Sequence, residues 1–197
     1  MLKIAQAPNR VLSEKAKSVG KVDKSILHLL FQMEKTLMSA HDPEGVGLAA
    51  PQVSKSLQIF IVKQTPRSPF LTFINPVIES TFDAPPEKKP VSTQSKKTAK
   101  AKEKANIDKG VQLEGCLSLK DIWGVVKRSH GIVLSYLDEK GQKHRKTFAG
   151  FLAVIIQHEL DHLQGVLFPK KVLEQKNKLY RSIKNEKGEI EFDEIKV

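Results

Sequence analysis

The chain switches between segments with helical periodicity and segments that read as strands, and these switches predict its elements. Between Asp23 and about Ala40, the residues Ile26, Leu27, Leu29, Leu30, Met33, Leu37 and Met38 recur at the spacing of one helical face, with Asp23 placed to cap the start. Residues 57–62 and 70–74 are short apolar runs rich in branched and aromatic side chains, which predicts two strands, the second ended by Asn75-Pro76. Residues 132–136 and 143–148 flank Asp138-Glu139-Lys140-Gly141, a hairpin signal. From about Gly150, the apolar run 151–156 enters a second helix that Gly165 is suited to stop. Beyond Pro169, Leu173, Leu179, Tyr180 and Ile183 predict the apolar side of a basic helix over 172–183. The alternation in 189–195 predicts a final short strand or an exposed tail. Residues 1–22 carry no clear period.

Between 83 and 110 the pattern is lost. This stretch is rich in Ser, Thr, Lys and Ala and holds eight Lys against four acidic residues, a surplus of four positive charges. It cannot bury enough apolar surface to offset its ordering entropy and is expected to be a flexible lysine-rich insertion, with a lysine-rich helix between about Thr98 and Ala105 as its one candidate element. The whole chain, 197 residues, is expected to form a single domain, with 170–197 as a basic C-terminal extension. The net charge of +11 favours polyanions, but so much of it lies in these two regions that it does not by itself specify a nucleic-acid function. No apolar run approaches the roughly 18 residues of a membrane span, and the start, Met1-Leu2-Lys3-Ile4, lacks a secretory apolar core. A cytoplasmic location without membrane partners is the expectation. The one cysteine, Cys116, excludes an intrachain disulfide.

Candidate chemistry concentrates in Gln157-His158-Glu159-Leu160-Asp161-His162, on the second predicted helix. Residues four apart share a helix face, so His158 and His162 can offer nitrogens to one cation, with Glu159 beside them free to handle protons. The apolar run before them implies burial, where unpaired polar groups are costly and a metal would give them a reason. Two histidines leave a catalytic metal one protein ligand short. A downstream carboxylate such as Glu186 would make a zincin-type peptidase, but it lies in a hydrophilic, turn-like stretch. Cys116, in the compact segment Glu114-Gly115-Cys116-Leu117-Ser118, is better placed, and a thiolate with two imidazoles suits Zn(II) or Fe(II) with one position left open. A non-catalytic RNA-binding protein with a closed, structural metal is the alternative from another class. Gly45-Val46-Gly47-Leu48-Ala49-Ala50-Pro51-Gln52 offers little side chain, which suits either a tight turn or the wall of a groove that binds an extended peptide through its main chain.

In chain order, 45–52, 114–118 and 157–162, these three segments resemble the three motifs of the peptide deformylases, and Asn75-Pro76 and Gly165-Val166-Leu167-Phe168 fit that family too. The resemblance covers nearly the whole chain apart from 83–110. It implies an α+β fold of antiparallel strands packed around a central metal-binding helix. It implies removal of the formyl group from N-formylmethionyl nascent peptides with release of formate. Cys116, His158 and His162 would be the metal ligands, with Fe(II) the native metal and Zn(II) or Ni(II) able to replace it. Glu159 would be the general acid/base, and Gln52 and the Leu117 amide the oxyanion partners. Val46 and Gly47 would line the substrate groove, and Phe151, Val154, Ile155 and Arg128 the methionine pocket and its mouth. Contact with the ribosome through the basic segments is a further expectation. Two positions depart from the family pattern: Lys120 stands where proline is frequent, and Gln112 where an aliphatic pocket residue is common. Both bear on the pocket's shape and not on the metal chemistry.

Overall fold

The computed structural model describes residues 1–40, 45–83, 113–185 and 188–196, so the insertion beyond Asp83, its candidate helix, Gln112 and Glu186 lie outside the described residues. The first helix, α1 (Lys24–Met38), starts where its cap was expected: the Asp23 carboxylate accepts the N–H groups of Ser25 and Ile26 at 2.9 and 3.1 Å. Ile26, Leu29, Leu30, Met33 and Leu37 are buried, whereas Leu27 and Met38 fall off that face and are exposed.

Two antiparallel sheets follow. The first joins β1 (Gly47–Ala49), β2 (Ile59–Val62), β3 (Leu71–Phe82), β6 (Gly131–Leu137) and β7 (Lys143–Ala149) in that spatial order. The second joins β4 (Leu113–Cys116), β5 (Leu119–Val125), β8 (Leu179–Lys184) and β9 (Ile190–Ile195). Every residue of β2 is buried, because Phe60 and Val62 pack with α2 (Phe151–Leu163) while Ile59 and Ile61 pack with α1. A strand covered on both faces reads as a continuous apolar run, which is why 59–62 does not alternate. On the α2 side, Ala153, Ile155, Ile156, Leu160 and Leu163 join Phe60, Phe73, Ile132 and Leu134, with Phe60 stacked on Phe73 at 4.6 Å. The expected hairpin is present as β6 and β7, paired from Gly131↔Ala149 to Leu137↔Lys143.

Two expectations are corrected. Asn75-Pro76 does not end its strand: β3 runs on to Phe82, with a register shift between Ile74 and Val77. Asn75 adopts φ 50°, and its side-chain amide exchanges two hydrogen bonds with the Val19 backbone, at 2.8 and 2.7 Å. The irregularity absorbs the proline, which has no N–H to give. The basic helix expected over 172–183 is only α3 (Phe168–Glu174), and 179–184 is strand β8. Lys176 takes φ 58°, a left-handed turn that stops the helix, and Asn177 ties the chain to Val125 O at 3.0 Å. Leu179 then packs opposite Gly124, into a cluster with Cys116, Val126, Phe168 and Val172. Residues 190–195 pair along the whole of β8, so the alternation there marks a strand and not a free tail. The architecture is α+β, antiparallel sheets with a few helices, and no helix among the described residues is long and apolar enough to cross a membrane.

Candidate active site

Helix α2 ends as its sequence predicts: Gly165, at φ 70°, follows the last turn, and the Gln164, Gly165 and Val166 N–H groups close on the final carbonyls. The helix carries His158, Glu159 and His162 on the side away from solvent. Glu159 and His162 are buried, and His158 is largely so. Strand β4 brings Cys116 to the same point. One donor atom each from Cys116, His158 and His162 lies within 4.8 Å of the others, and Cys116 Sγ is 3.2 Å from His162 Nε2. Tetrahedral zinc with its usual bond lengths would set sulfur and nitrogen about 3.6 Å apart, inside the observed range.

The electrostatics agree with a thiolate centre. Burial alone would raise the Cys116 pKa, but His162 and His158 overcome it and hold the thiol well below its ordinary value. Burial likewise opposes charge on His158, yet Cys116 and Glu114 outweigh it and raise its pKa. Two buried atoms, His162 Nδ1 and Glu159 Oε2, have no hydrogen-bond partner among the described residues. A soft sulfur, two imidazoles and an unpaired carboxylate beside them form a donor set that fits a divalent cation with three protein ligands.

Behind the donors stands a buried ion network. Residues 114 and 116 alternate along β4 and so face the same side, which lets Glu114 Oε2 meet His158 Nδ1 at 3.1 Å. Arg128 donates to both Glu114 oxygens at 2.7 Å and to Asp161 at 2.6 Å. Despite the cost of burial, these contacts hold Glu114 at about 2, a carboxylate that orients the imidazole. Arg128 was expected at the pocket mouth; its side chain is only 5% exposed and braces Glu114 and Asp161.

In front of the donors is a cavity of about 220 Å³. Cys116, His158 and Glu159 form its floor, and Gly45, Val46, Gly47 and Gln52 one wall. Phe151, Val154 and Ile155 enter from α2, and Leu113, Gly115, Leu117 and Trp123 from the second sheet. Gly47 has a steric requirement: a Cβ there would lie 2.3 Å from Glu159 Oε1. Gln52 is buried, its oxygen accepting the Ala49 N–H at 2.8 Å and its Nε2 facing Cys116 Sγ at 3.5 Å and Ser118 Oγ at 3.3 Å. Burial raises the Glu159 carboxyl to about 7, against the opposing pull of the two histidines.

Residues 1–178 match the family model described as polypeptide deformylase. The chain belongs to that family. It is 35% identical to a peptide deformylase of Synechocystis over 83% of its own length and 75% of the relative, and 36% identical to peptide deformylase 1 of Bacillus cereus over 87% and 92%. Among solved structures, the Synechococcus elongatus peptide deformylase in complex with actinonin superposes with a TM-score of 0.67 at 31% identity, covering 89% of this chain and 86% of the other. The Met-Ala-Ser-bound peptide deformylase of Acinetobacter baumannii superposes with a TM-score of 0.67 at 28% identity, covering 87% and 98%. The chain is therefore an enzyme, a hydrolase of a metal-dependent family that removes the N-terminal formyl group of new polypeptides.

The structure brings the deformylase's expected site residues to one place, with Arg128 set behind it. Sequence reasoning gave no role to Glu114 or Trp123. The first was legible in principle, from its two-residue spacing to Cys116 on a strand; the second is the single tryptophan of the chain.

Proposed function

We propose that hydrolysis of the formyl amide takes place over Cys116, His158 and His162, holding Fe(II) natively and able to accept Zn(II) or Ni(II), on a central metal-binding helix, α2. The observation that carries this reading is the meeting of those three donors, drawn from two distant segments, beside the unpaired Glu159 carboxylate at the cavity floor. When bound, such a cation supplies Lewis acidity, stabilising negative charge on oxygen and making water a nucleophile near neutral pH.

The side chains do the rest. Glu159, buried beside the three donors and lining the cavity, takes the proton of the attacking water and returns it to the departing amine nitrogen. The Gln52 Nε2 and the Leu117 N–H donate to the formyl oxygen as it becomes negative, each worth roughly 2.7–4 kcal/mol by analogy with oxyanion donors elsewhere. The substrate is a peptide in extended form. Val46 and Gly47 lead into β1, β1 and β4 are end strands of their sheets, and both contribute to the cavity, which suits main-chain pairing on either side. Phe151, Val154 and Ile155 receive the methionine side chain, a reading supported by their place together in the cavity lining.

The substrates are formylmethionyl nascent chains in the cytoplasm. The domain is one catalytic unit interrupted at 83–110, with the basic stretch 170–187, seven Lys/Arg against two Glu, assisting attachment to ribosomal RNA. Charge reversal at Lys176 and Arg181 should weaken co-sedimentation with ribosomes at low salt; unchanged binding refutes that attachment. The central test is formate release from a formyl-Met tripeptide by protein purified anaerobically, with metal content measured. Glu159→Ala should keep the metal and lose activity by about 10²–10⁴-fold. Wild-type rates in that variant would overturn the mechanism.

A further inference from the structure

We propose that Trp123 is a specificity-determining residue, an aromatic wall that receives the thioether of the substrate's methionine, and that the β8–β9 hairpin is the element holding it there. The inference rests on the deformylase reading and names a contact within that site. Trp123 lines the cavity together with Cys116 and Glu114, and it sits on β5 opposite Gly115. The indole lies so close over Gly115 that a Cβ there would meet its six-membered ring at 2.8 Å, so the glycine is what allows the ring into this position.

Further contacts of the indole come from the C-terminal hairpin. Its Nε1 donates to Ser182 Oγ at 3.2 Å, from β8. Phe192, from β9 and paired with Ser182, meets it edge to face at 5.9 Å. Tyr180 is its register partner on β8. The indole is thus fixed by its polar edge and by one ring neighbour, and it stays partly exposed toward the cavity. Leu113, Gly115 and Leu117 line the cavity beside the indole, and Phe151, Val154 and Ile155 line it on the helix side, with Glu114 and Gln52 as the polar residues of the walls. An apolar slot with an indole in one wall favours an unbranched side chain, and it favours sulfur over methylene because thioethers interact well with aromatic rings. The residues that fix the ring lie more than sixty positions downstream of the cysteine segment, so the C-terminal hairpin becomes part of the substrate site.

The test compares kcat and KM on formyl-Met and formyl-norleucine tripeptides, which differ by sulfur against methylene. Wild type should prefer methionine by roughly two- to tenfold in kcat/KM, the size of a sulfur–aromatic contact. Trp123→Leu should lose that preference through KM, with kcat and metal content unchanged, and Trp123→Phe should restore most of it. Ser182→Ala, which frees the ring's polar edge, should fall between. An unchanged methionine-to-norleucine ratio in an active Trp123→Leu enzyme overturns the inference and leaves the deformylase reading intact. No formate from the wild type on either substrate overturns both. Because the chain has one tryptophan, titrating the metal-loaded wild type with Met-Ala-Ser gives a check that needs no variant. Its emission should shift on saturation, and a saturable binding signal without any such change also sinks the proposal.

Discussion

At the scale of single residues, the space around Glu159 and the charge around Glu114 set requirements of their own beside the ligands. Gly47 is required because its missing side chain leaves room for the Glu159 carboxylate. Gly47→Ala should leave the fold and the metal content intact while displacing that carboxylate, lowering kcat by at least about tenfold, or 1.4 kcal/mol of barrier; steady-state formate release checks it. Arg128 has a different role. Removing it as Arg128→Met takes the two-pronged partner from the buried Glu114 carboxylate, which keeps its His158 contact, and one of two cations from Asp161, which keeps Lys171 at 3.4 Å. Urea unfolding should show a loss of about 3–5 kcal/mol, with weaker metal retention because Glu114, without its brace, holds His158 less firmly.

At the scale of elements, the turns that end helices and join strands carry the sharpest sequence requirements. Gly165 closes α2 at φ 70°, and a Cβ there would also lie 2.6 Å from the Ser13 carbonyl carbon. Gly165→Ala should cost more than about 1–2 kcal/mol, the strain of a left-handed residue, with the clash added; a thermal melt measures it. In the β6–β7 hairpin, Asp138 accepts the Lys140 and Gln142 N–H groups and meets His144 Nε2 at 2.7 Å. Slight burial opposes the charge, but these hydrogen bonds hold the carboxyl below its usual 3.8. A depressed folded pKa contributes stability above the unfolded value, and the contribution is lost as pH falls through the folded one. Acid-unfolding curves should therefore be less steep below about pH 4 for Asp138→Asn than for wild type.

For the molecule as a whole, the second sheet ties the C-terminus to the active site. Leu179 shares a cluster with Cys116, Val126, Phe168 and Val172, and β8 pairs with β5 directly behind Trp123. A chain ending at Lys178 should thus unfold at lower urea concentration and bind substrate more weakly, where a detachable basic tail would have changed neither. Helix α2 sits against one sheet while Cys116 arrives from the other, so the cluster of Cys116, His158 and His162, the proposed metal site, joins the two sheets. Removing the metal with a chelator should lower the thermal midpoint, since a ligand bound only by the folded state stabilises it; an unchanged midpoint would mean that the donors are held by packing alone.

What the sequence determined by itself was whatever depends on spacing within one element. His158 and His162 are four apart on a helix, Asp23 caps α1 within the same turn, and Asp138 and Gly141 lie within a single hairpin, so local geometry suffices. The order of three short segments was enough to name the family. Tertiary structure decided what depends on partners far along the chain. Leu179, Tyr180 and Ile183 fit helical spacing as readily as a short strand, and only pairing with β5 makes them β8. Asn75 takes its conformation from the Val19 backbone, and Arg128 is buried because two carboxylates from separate segments neutralise it. Trp123 becomes a cavity wall only through Gly115 on one strand and Ser182 on another. The local pattern sets which side chains face inward, and the free energy of burying them against distant neighbours settles where they meet.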